Sequence, residues 1–383
     1  MKIGIDYRSA LLNREDIGRT TREFVRALVE LGHGAELGLF GWTLAPVKFT
    51  RDELGLAGSE ARLARFRFPS RWIPDLCRTL GKGVDDLAGG CDVYHHTQPH
   101  LLPVRSAVEV ATIFDCIYMD GGPFVSPAAA ESMTRAAREM VARARKILVP
   151  SHFVAHEVEV RLGARKSDIH VVWLGCDHIT RRARAADESQ AEGTSEHGDA
   201  REPFVLTVTR VDGRKNHVRM LRVFERLVAE GLAQRWVVAG PDGHGVEAFD
   251  AALASSPVRS RVERLKFVDD AELPRLYART SLFLFASLNE GFGLPPLEAL
   301  ACGAPVVAGN NTSMPEVLGD AALLVDVLDE DALFDASRRL IREPDLAAEL
   351  RARGLRRAGE LTWQACARAT YDVYRAAANS GRL

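Results

Sequence analysis

The sequence lacks an excess of charge of one sign. Its 50 lysine and arginine residues nearly balance 52 aspartate and glutamate residues, and the formal net charge is -2. Because a general nucleic-acid binder needs a basic surplus, we expect no nucleic-acid partner. The chain also lacks an apolar run of the roughly 18 residues that suggest a membrane span. Residues 1–6 have the pattern of a strand rather than of a signal peptide, so we expect a cytoplasmic protein.

Cysteines are few and are not spaced for a metal site. None of the six forms a C-x-x-C pair, and most lie among apolar or small residues. Such thiols are typical of reduced packing residues rather than of a disulfide framework or a zinc site. We therefore predict no metal site and no required cofactor.

The length of 383 residues exceeds the usual size of a single core, which predicts two domains. Apolar strand-like runs alternate with helical patterns, the arrangement of α/β folds with parallel sheets. We place the first domain at 1–179 and the second at 204–362. Between them, 180–203 is polar without apolar periodicity and is predicted to be a linker or mobile loop. Strands are predicted near Ile3, from 204 onward, and at 35–40, 92–95, 110–115, 146–150, 169–174, 235–240, 262–268, 281–286, 305–308 and 323–325.

The most informative segment of the chain is 288–307. It follows the apolar strand 281–286, and its two prolines and later Gly303 predict a short helix at about 294–302. Gly291 and Gly293 allow a ligand to approach the backbone closely, and the start of the helix carries exposed N–H groups and a positive dipole end. The segment therefore predicts a site for an anion such as a diphosphate.

Two glutamates flank the glycines of this segment and need a different partner, because carboxylates repel phosphate. Glu298 lies one turn into the predicted helix and its side chain leans toward the N-terminus, where a ribose joined to the diphosphate would lie. Glu290 precedes the glycines, toward the sugar end. A glycosidase carboxylate pair is an alternative, although eight residues suit a longer ligand better than one bond. An ordinary strand–loop–helix unit with surface glutamates is the other alternative.

The segment resembles the E-x7-E signature of retaining glycosyltransferases with the GT-B fold, in particular the large family 4 of bacterial mannosyl-, glucosyl- and N-acetylglucosaminyltransferases. A second match, residues 204–216, resembles the family's strand that ends in Arg210, with Lys215 five positions later. The resemblance implies two Rossmann-like domains facing a central cleft, with the last helix, 363–378, packing back on the first. It implies transfer of a hexosyl unit, mannose first, from a nucleotide diphosphate sugar.

The resemblance also assigns site residues. Arg210, Lys215 and Glu290 are predicted to be catalytic, and the two cations would hold the leaving diphosphate. The donor site would also include Gly18, Val268, Gly291, Phe292, Gly293, Leu294 and Glu298. By itself, an Arg-x4-Lys pattern usually lies on a solvated surface, and its position after an apolar strand is what favours the site.

The acceptor is expected on the first domain. Gly18 occupies the place of the family's glycine loop, where the alternative is plain helix-capping chemistry. Phe114 stands where many relatives have a histidine that contacts the donor sugar, and Asp115 and His95 are candidates for acceptor binding. Asp115 could equally cap the turn after its strand, and His95 could equally be a packing residue.

Two further segments have a functional and a structural interpretation. Residues 62–82 mix arginines with aromatic and aliphatic side chains. This mixture suits peripheral contact with an anionic membrane, at its inner face, or with a lipid-linked saccharide acceptor, and it equally suits a solvated helix with one buried face. Residues 329–331 match a metal-binding Asp-x-Asp pattern, but the amphipathic pattern that follows favours a helix cap.

Other functions fit the sequence less well. A GT-B-like protein that binds sugar nucleotides without transferring them, and a natural-product glycosyltransferase, remain alternatives. A dehydrogenase would need a G-x-G-x-x-G fingerprint, which the glycines at 240–245 do not form. A phosphorylase would need a lysine for pyridoxal phosphate, and no segment specifies one.

Overall fold

The computed structural model describes residues 1–14, 16–47, 49–69, 72–121, 125–190 and 202–380. The chain divides into two compact units. The first contains Met1–Cys116, Glu131–Gly175 and Trp363–Leu383, and the second contains Ile117–Ala130 and Cys176–Thr362. Among the described residues, none of the helices combines the length and apolar character that crossing a membrane requires.

The first unit is built on a seven-stranded parallel sheet with strand order β3-β2-β1-β4-β5-β6-β7. Its strands are β1 (Ile3–Asp6), β2 (Leu37–Trp42), β3 (Arg62–Phe66), β4 (Val93–His96), β5 (Val108–Thr112), β6 (Lys146–Val149) and β7 (Ile169–Val171). Its helices are α1 (Arg8–Leu12), α2 (Asp16–Leu28), α3 (Ile73–Leu80), α4 (Val84–Leu87), α5 (Pro127–Arg143) and α6 (His152–Leu162). The first four residues of α5, up to Ala130, are assigned to the second unit. Strands β1, β2 and β4 are buried along nearly their whole length, as expected of a parallel sheet covered on both faces.

The second unit has a six-stranded parallel sheet in the order β10-β9-β8-β11-β12-β13. Its strands are β8 (Glu202–Val208), β9 (Arg235–Ala239), β10 (Val262–Leu265), β11 (Thr280–Phe285), β12 (Val306–Gly309) and β13 (Leu323–Val325). Its helices are α7 (Asp177–Gln190), α8 (His217–Ala229), α9 (Val246–Ser255), α10 (Leu273–Arg279), α11 (Leu294–Ala301), α12 (Met314–Leu318), α13 (Glu330–Arg342) and α14 (Pro344–Glu360). The central strands β8 and β11 pair directly, and each is followed by one of the two predicted motifs.

The last helix, α15 (Trp363–Ser380), belongs to the first unit and packs against α2. Its apolar side includes Trp363 and Tyr374, which are buried in the same core as β1 and α2. The family resemblance implies this return of the C-terminal helix.

Three local expectations differ from the structure. The segment from Arg62 begins as an edge strand, β3, and only later becomes the helix α3. The expected linker at 180–203 begins inside α7, which continues to Gln190, and 191–201 lie outside the described residues. Strand β10 ends at Leu265, so Val268 lies beyond the strand rather than at its end.

The Asp-x-Asp segment caps a helix, as predicted. The carboxylate of Asp329 accepts a hydrogen bond from the backbone N–H of Ala332 at 3.0 Å, and α13 begins at the next residue, Glu330. This carboxylate therefore accepts a hydrogen bond from a backbone N–H of the first turn that has no acceptor within the helix.

Candidate active site

The start of α11 is shaped by a glycine that no other residue can replace without strain. Gly293 forms the N-cap with φ of 89°, and an added Cβ would lie 2.1 Å from Cε of Met314. Proline follows in the first turn, where its missing N–H costs little. Gly291 and Phe292 are buried and Leu294 is half-buried. The loop therefore presents backbone rather than long side chains at the positive end of the helix.

Glu290 lies beside two cations that come from the loop after β8. Its Oε1 accepts a hydrogen bond from Nζ of Lys215, and its Oε2 lies 3.2 Å from a guanidinium nitrogen of Arg214. Glu290 and Lys215 are 8% and 7% exposed. Burial by itself raises the pKa of Glu290, but the charges of Lys215 and Arg214 outweigh it and lower that pKa to about 2. The carboxylate is therefore ionised throughout the physiological range.

The backbone of Glu290 is fixed from a neighbouring loop. Its N–H donates to Oγ1 of Thr312 at 3.3 Å, and its carbonyl accepts from Oγ of Ser313 at 2.9 Å. Thr312 has φ of 54°, an uncommon value for a residue with a branched Cβ. Such strained positions cluster at functional sites, where the surrounding structure holds them in place.

Arg210 and Val268 are the other residues of the second unit, outside the segment 288–307, that are predicted to bind the donor. Arg210 is exposed, and a guanidinium nitrogen lies 3.4 Å from the carbonyl oxygen of Asp242 after β9. Val268 is half-buried. The structure thus brings Lys215 and Glu290 into contact and leaves the guanidinium of Arg210 accessible to solvent.

Glu298 is buried and both of its carboxylate oxygens are engaged by protein groups. Nε2 of His178, on α7, lies 2.8 Å from Oε1, and the hydroxyl of Tyr277, on α10, donates to Oε2 at 3.0 Å. The exposed fraction of Glu298 is 1%. Cys302 is near enough that burial first, and then the charge of Glu298, raise the pKa of its thiol to about 12. Glu298 is therefore part of a built polar cluster rather than a surface carboxylate.

In the first unit, His95 is held through both ring nitrogens. Nε2 lies 2.7 Å from Oγ1 of Thr112, and Nδ1 lies 2.6 Å from the hydroxyl of Tyr374 on α15. Burial lowers the pKa of His95 to about 3, with a smaller effect from His96. The imidazole is therefore neutral and has the contacts of a satisfied core residue.

His95 and Phe114 line one cavity of about 40 Å³. The other lining residues come from α2, α15, the ends of β5 and β6 and the segments after the strands, and they include Thr20, Phe24, Thr97, Pro150, Leu174 and Trp363. Asp115 is half-buried at the end of the same segment as Phe114. The lining is chiefly apolar, so this cavity suits an apolar group better than a charged one.

Gly18 has a structural reason to lack a side chain. It lies in the first turn of α2, where an added Cβ would come within 2.2 Å of the carbonyl oxygen of Asn13 and 2.7 Å of that of Ser9. The sequence predicts that another group approaches Gly18 closely. In the structure, backbone carbonyls at the junction of α1 and α2 make such an approach.

Three residues of the candidate site were missed by reasoning from the sequence: Arg214, His178 and Tyr277. Arg214 is adjacent to Lys215 and could have been found from its place in the motif. The other two lie 120 and 21 residues from Glu298 along the chain. No spacing rule connects residues so far apart, and only the packing of α7 and α10 on α11 brings them together.

Sequence comparison finds glycosyltransferases that are similar to this chain. Residues 191–357, which lie within the second unit, match the family described as glycosyl transferases group 1. The O-antigen chain mannosyltransferase B of Escherichia coli is 29% identical over 289 residues, which cover 74% of this chain and 74% of that protein. The serotype-specific mannosyltransferase WbdA of Escherichia coli is 34% identical over 176 residues, which cover 45% of this chain and 21% of that protein. The chain thus spans about a fifth of the length of WbdA.

A solved structure supports the fold. The chain of Anabaena Alr3699/HepE, in complex with UDP and glucose, aligns with a TM-score of 0.71 and 15% sequence identity, covering 97% of this chain and 99% of that chain. This likeness confirms the predicted two-domain α/β fold of the GT-B class. Residues 191–357, less than half of the chain, are similar to the glycosyl transferases group 1 family, and this match together with the similar mannosyltransferases supports a glycosyltransferase.

Proposed function

We propose that this glycosyltransferase moves a hexosyl unit, mannose first and glucose or N-acetylglucosamine second, from a nucleotide diphosphate sugar to an acceptor hydroxyl. The names of two similar proteins, both mannosyltransferases of Escherichia coli, support mannose. We further propose that it is a retaining enzyme of family 4, as the E-x7-E resemblance implies. Its reaction would serve oligosaccharide or polysaccharide assembly.

The observation that carries this proposal is the ion cluster of Glu290, Lys215 and Arg214 beside the glycine-opened start of α11. An ammonium group has three donors, so Lys215 can bind Glu290 and still donate to a phosphate oxygen. Together with Arg210 and the positive end of α11, it would stabilise the negative charge that develops on the leaving diphosphate. Glu290, held ionised, would orient the sugar hydroxyls, and Glu298 would accept hydrogen bonds from the ribose.

The reaction breaks the bond between the anomeric carbon and the diphosphate oxygen and forms a bond from that carbon to the acceptor oxygen on the same face. The acceptor's proton goes to the departing phosphate, as the family resemblance implies. The chain therefore needs no side chain acting as a strong nucleophile.

We predict that no metal is required for transfer, so EDTA should leave the rate unchanged. Loss of activity in EDTA and its return with magnesium or manganese would contradict this prediction.

The acceptor would be a saccharide or a lipid-linked saccharide. Trp72 and Leu80, at the two ends of α3, are each 51% exposed beside the arginines of 62–82, which supports peripheral contact with an anionic membrane surface. His95 and Asp115 stay candidates for the acceptor side. If the enzyme accepts only apolar acceptor molecules, that result would favour the alternative function, a natural-product glycosyltransferase.

The test begins with thermal shifts of the native chain and of Glu298→Ala in GDP, UDP and ADP, with and without their sugars. Stabilisation by one nucleotide, reduced in Glu298→Ala, is expected. The selected sugar nucleotide is then incubated with saccharide acceptors, and the anomeric configuration of the product is read by NMR. An inverted product would contradict retention. Binding without transfer to any acceptor would favour a sugar-nucleotide-binding protein that is not an enzyme.

A further inference from the structure

The cluster around Glu298 joins three helices of the second unit. His178 lies in the first turn of α7, Tyr277 on α10, and Glu298 in the second turn of α11. All three residues are at most 1% exposed. His178 and Tyr277 each contact a different oxygen of the same carboxylate, at 2.8 and 3.0 Å.

A carboxylate at this depth is costly unless it is hydrogen-bonded, and each partner lowers that cost. Two donors on two different oxygens also fix the plane of the carboxylate, because rotation about the last side-chain bond would break both contacts. The cluster thus fixes the direction in which the carboxylate faces.

We propose that His178 and Tyr277 are positioning residues that hold Glu298 in the orientation in which it accepts hydrogen bonds from the ribose hydroxyls of the donor nucleotide. This inference rests on the proposed function, in which Glu298 binds the ribose. Neither residue belongs to the E-x7-E segment or to the segment with Arg210 and Lys215. Recognition of the nucleotide then depends on the docking of α7, the first helix of the second unit after Gly175.

The experiment compares affinities for nucleotides that differ only in the ribose hydroxyls. Calorimetry gives the dissociation constants of GDP and UDP and of their 2′,3′-dideoxy counterparts for the native chain and for four variants. His178→Phe and Tyr277→Phe each remove one donor and keep a ring. His178→Gln keeps an N–H in a similar place, and Ser337→Ala removes a different buried hydrogen bond of the same unit, from Oγ to the carbonyl of Leu333.

We expect the native chain to prefer the ribonucleotide by about tenfold or more, the value of a hydrogen bond to a charged group. In His178→Phe and Tyr277→Phe the preference should fall toward one, whereas His178→Gln and Ser337→Ala should keep it. A general loss of stability would weaken the ribonucleotide and its dideoxy counterpart equally and leave the ratio unchanged. An unchanged ratio in both phenylalanine variants, or equal losses in Ser337→Ala, would overturn the inference.

Glu298→Ala separates failure of this inference from failure of the proposed function. If Glu298→Ala abolishes the preference and the two phenylalanine variants keep it, Glu298 reads the ribose without help from its neighbours, and only the positioning role is wrong. If Glu298→Ala keeps the native preference, or if neither GDP nor UDP binds the native chain, the proposed role of Glu298 fails and the inference fails with it.

Discussion

Lys215 is buried, yet it carries the charge that the proposed chemistry needs. A buried ion pair contributes little net stability, because the loss of hydration offsets the attraction between the charges. Its presence beside a strained Thr312 is therefore better explained by function than by stability. The pair keeps Glu290 ionised and keeps an ammonium group ready beside the start of α11.

Replacing Lys215 by Ala should lower kcat by about 10²-fold or more, the usual effect of removing a donor that stabilises charge in the transition state. KM for the donor should change less, provided that the lysine acts mainly on the developing charge. The matched control is Arg222→Ala, a 60% exposed cation of the same unit whose side chain lies 3.7 Å from Glu330. Steady-state kinetics with the selected sugar nucleotide measure both. A native kcat in Lys215→Ala would remove this residue from the mechanism.

His217 makes the stability of the second unit depend on pH. It packs against the rings of Trp236 and Phe249, and burial first, then the charges of Lys215 and Arg264, lower its pKa to about 3. In the unfolded chain an ordinary histidine has a pKa of about 6.5. The unfolded state therefore binds more protons between these two values, so the contribution of His217 is fully present above about pH 6.5 and is lost as the pH falls.

His217→Phe should reduce the slope of unfolding free energy against pH by at most about 1.4 kcal/mol per pH unit between about pH 4 and 6. At pH 5, the protonation of His217 in the unfolded state lowers the stability of the native chain by about 2 kcal/mol relative to neutral pH, and the variant should lack this loss. Chemical denaturation at several pH values measures the change. The slope should not vanish, because His95 of the first unit also has a pKa of about 3. His244→Gln, at an exposed position, is the control and should keep the native slope. Parallel curves for the native chain and His217→Phe would show that His217 titrates normally in the folded state.

At the level of elements, α2 is fixed to α1 by the absence of a side chain at Gly18. An alanine in a helix is ordinarily better than a glycine by about 0.5–1 kcal/mol. At this position the new Cβ would press on two backbone carbonyls, at 2.2 and 2.7 Å, which cannot swing away as a side chain could. The clash should therefore outweigh the helix preference.

Gly18→Ala is expected to destabilise the protein by about 1–3 kcal/mol, the usual cost of overpacking. Gly359→Ala, in α14, is the matched control: an added Cβ there meets nothing within 4 Å, and the variant should gain stability. Thermal unfolding without ligand compares the two. Native stability of Gly18→Ala together with loss of transfer would instead assign Gly18 to the ligand.

Most elements could be predicted from the sequence because apolar strands of a parallel sheet are continuous runs. The strand β3 was missed because it lies at the sheet edge, where the exposed Arg62 and Arg65 break the apolar run. The helix α7 was missed because, after its first turn, the sequence is polar and shows no periodicity. The role proposed for Glu298 follows from its position in the helix and from the family resemblance, but its two partners come from the tertiary packing of other helices.

At the scale of the whole molecule, the two units differ in the observations that support a function for each of them. The family match and the ion cluster both fall in the second unit, together with the cluster around Glu298. The first unit has a comparable sheet but offers an apolar cavity and a neutral, fully bonded His95. Motifs in the sequence therefore suffice to propose donor residues, whereas the first unit, where we propose the acceptor, has no motif whose chemistry specifies a ligand.

This difference predicts where a nucleotide protects the chain from hydrogen exchange. Saturating GDP or UDP, at about 100 times the dissociation constant, adds about 2.7 kcal/mol to the opening of the segments that bind it, which slows their exchange by about 100-fold. We expect the slowing around 208–217 and 288–298 of the full chain. Guanosine or uridine, which lacks the diphosphate, is the control and should protect these segments less. Protection confined to residues around Thr20 and His95 would place the nucleotide on the first unit and contradict the assignment of the donor site.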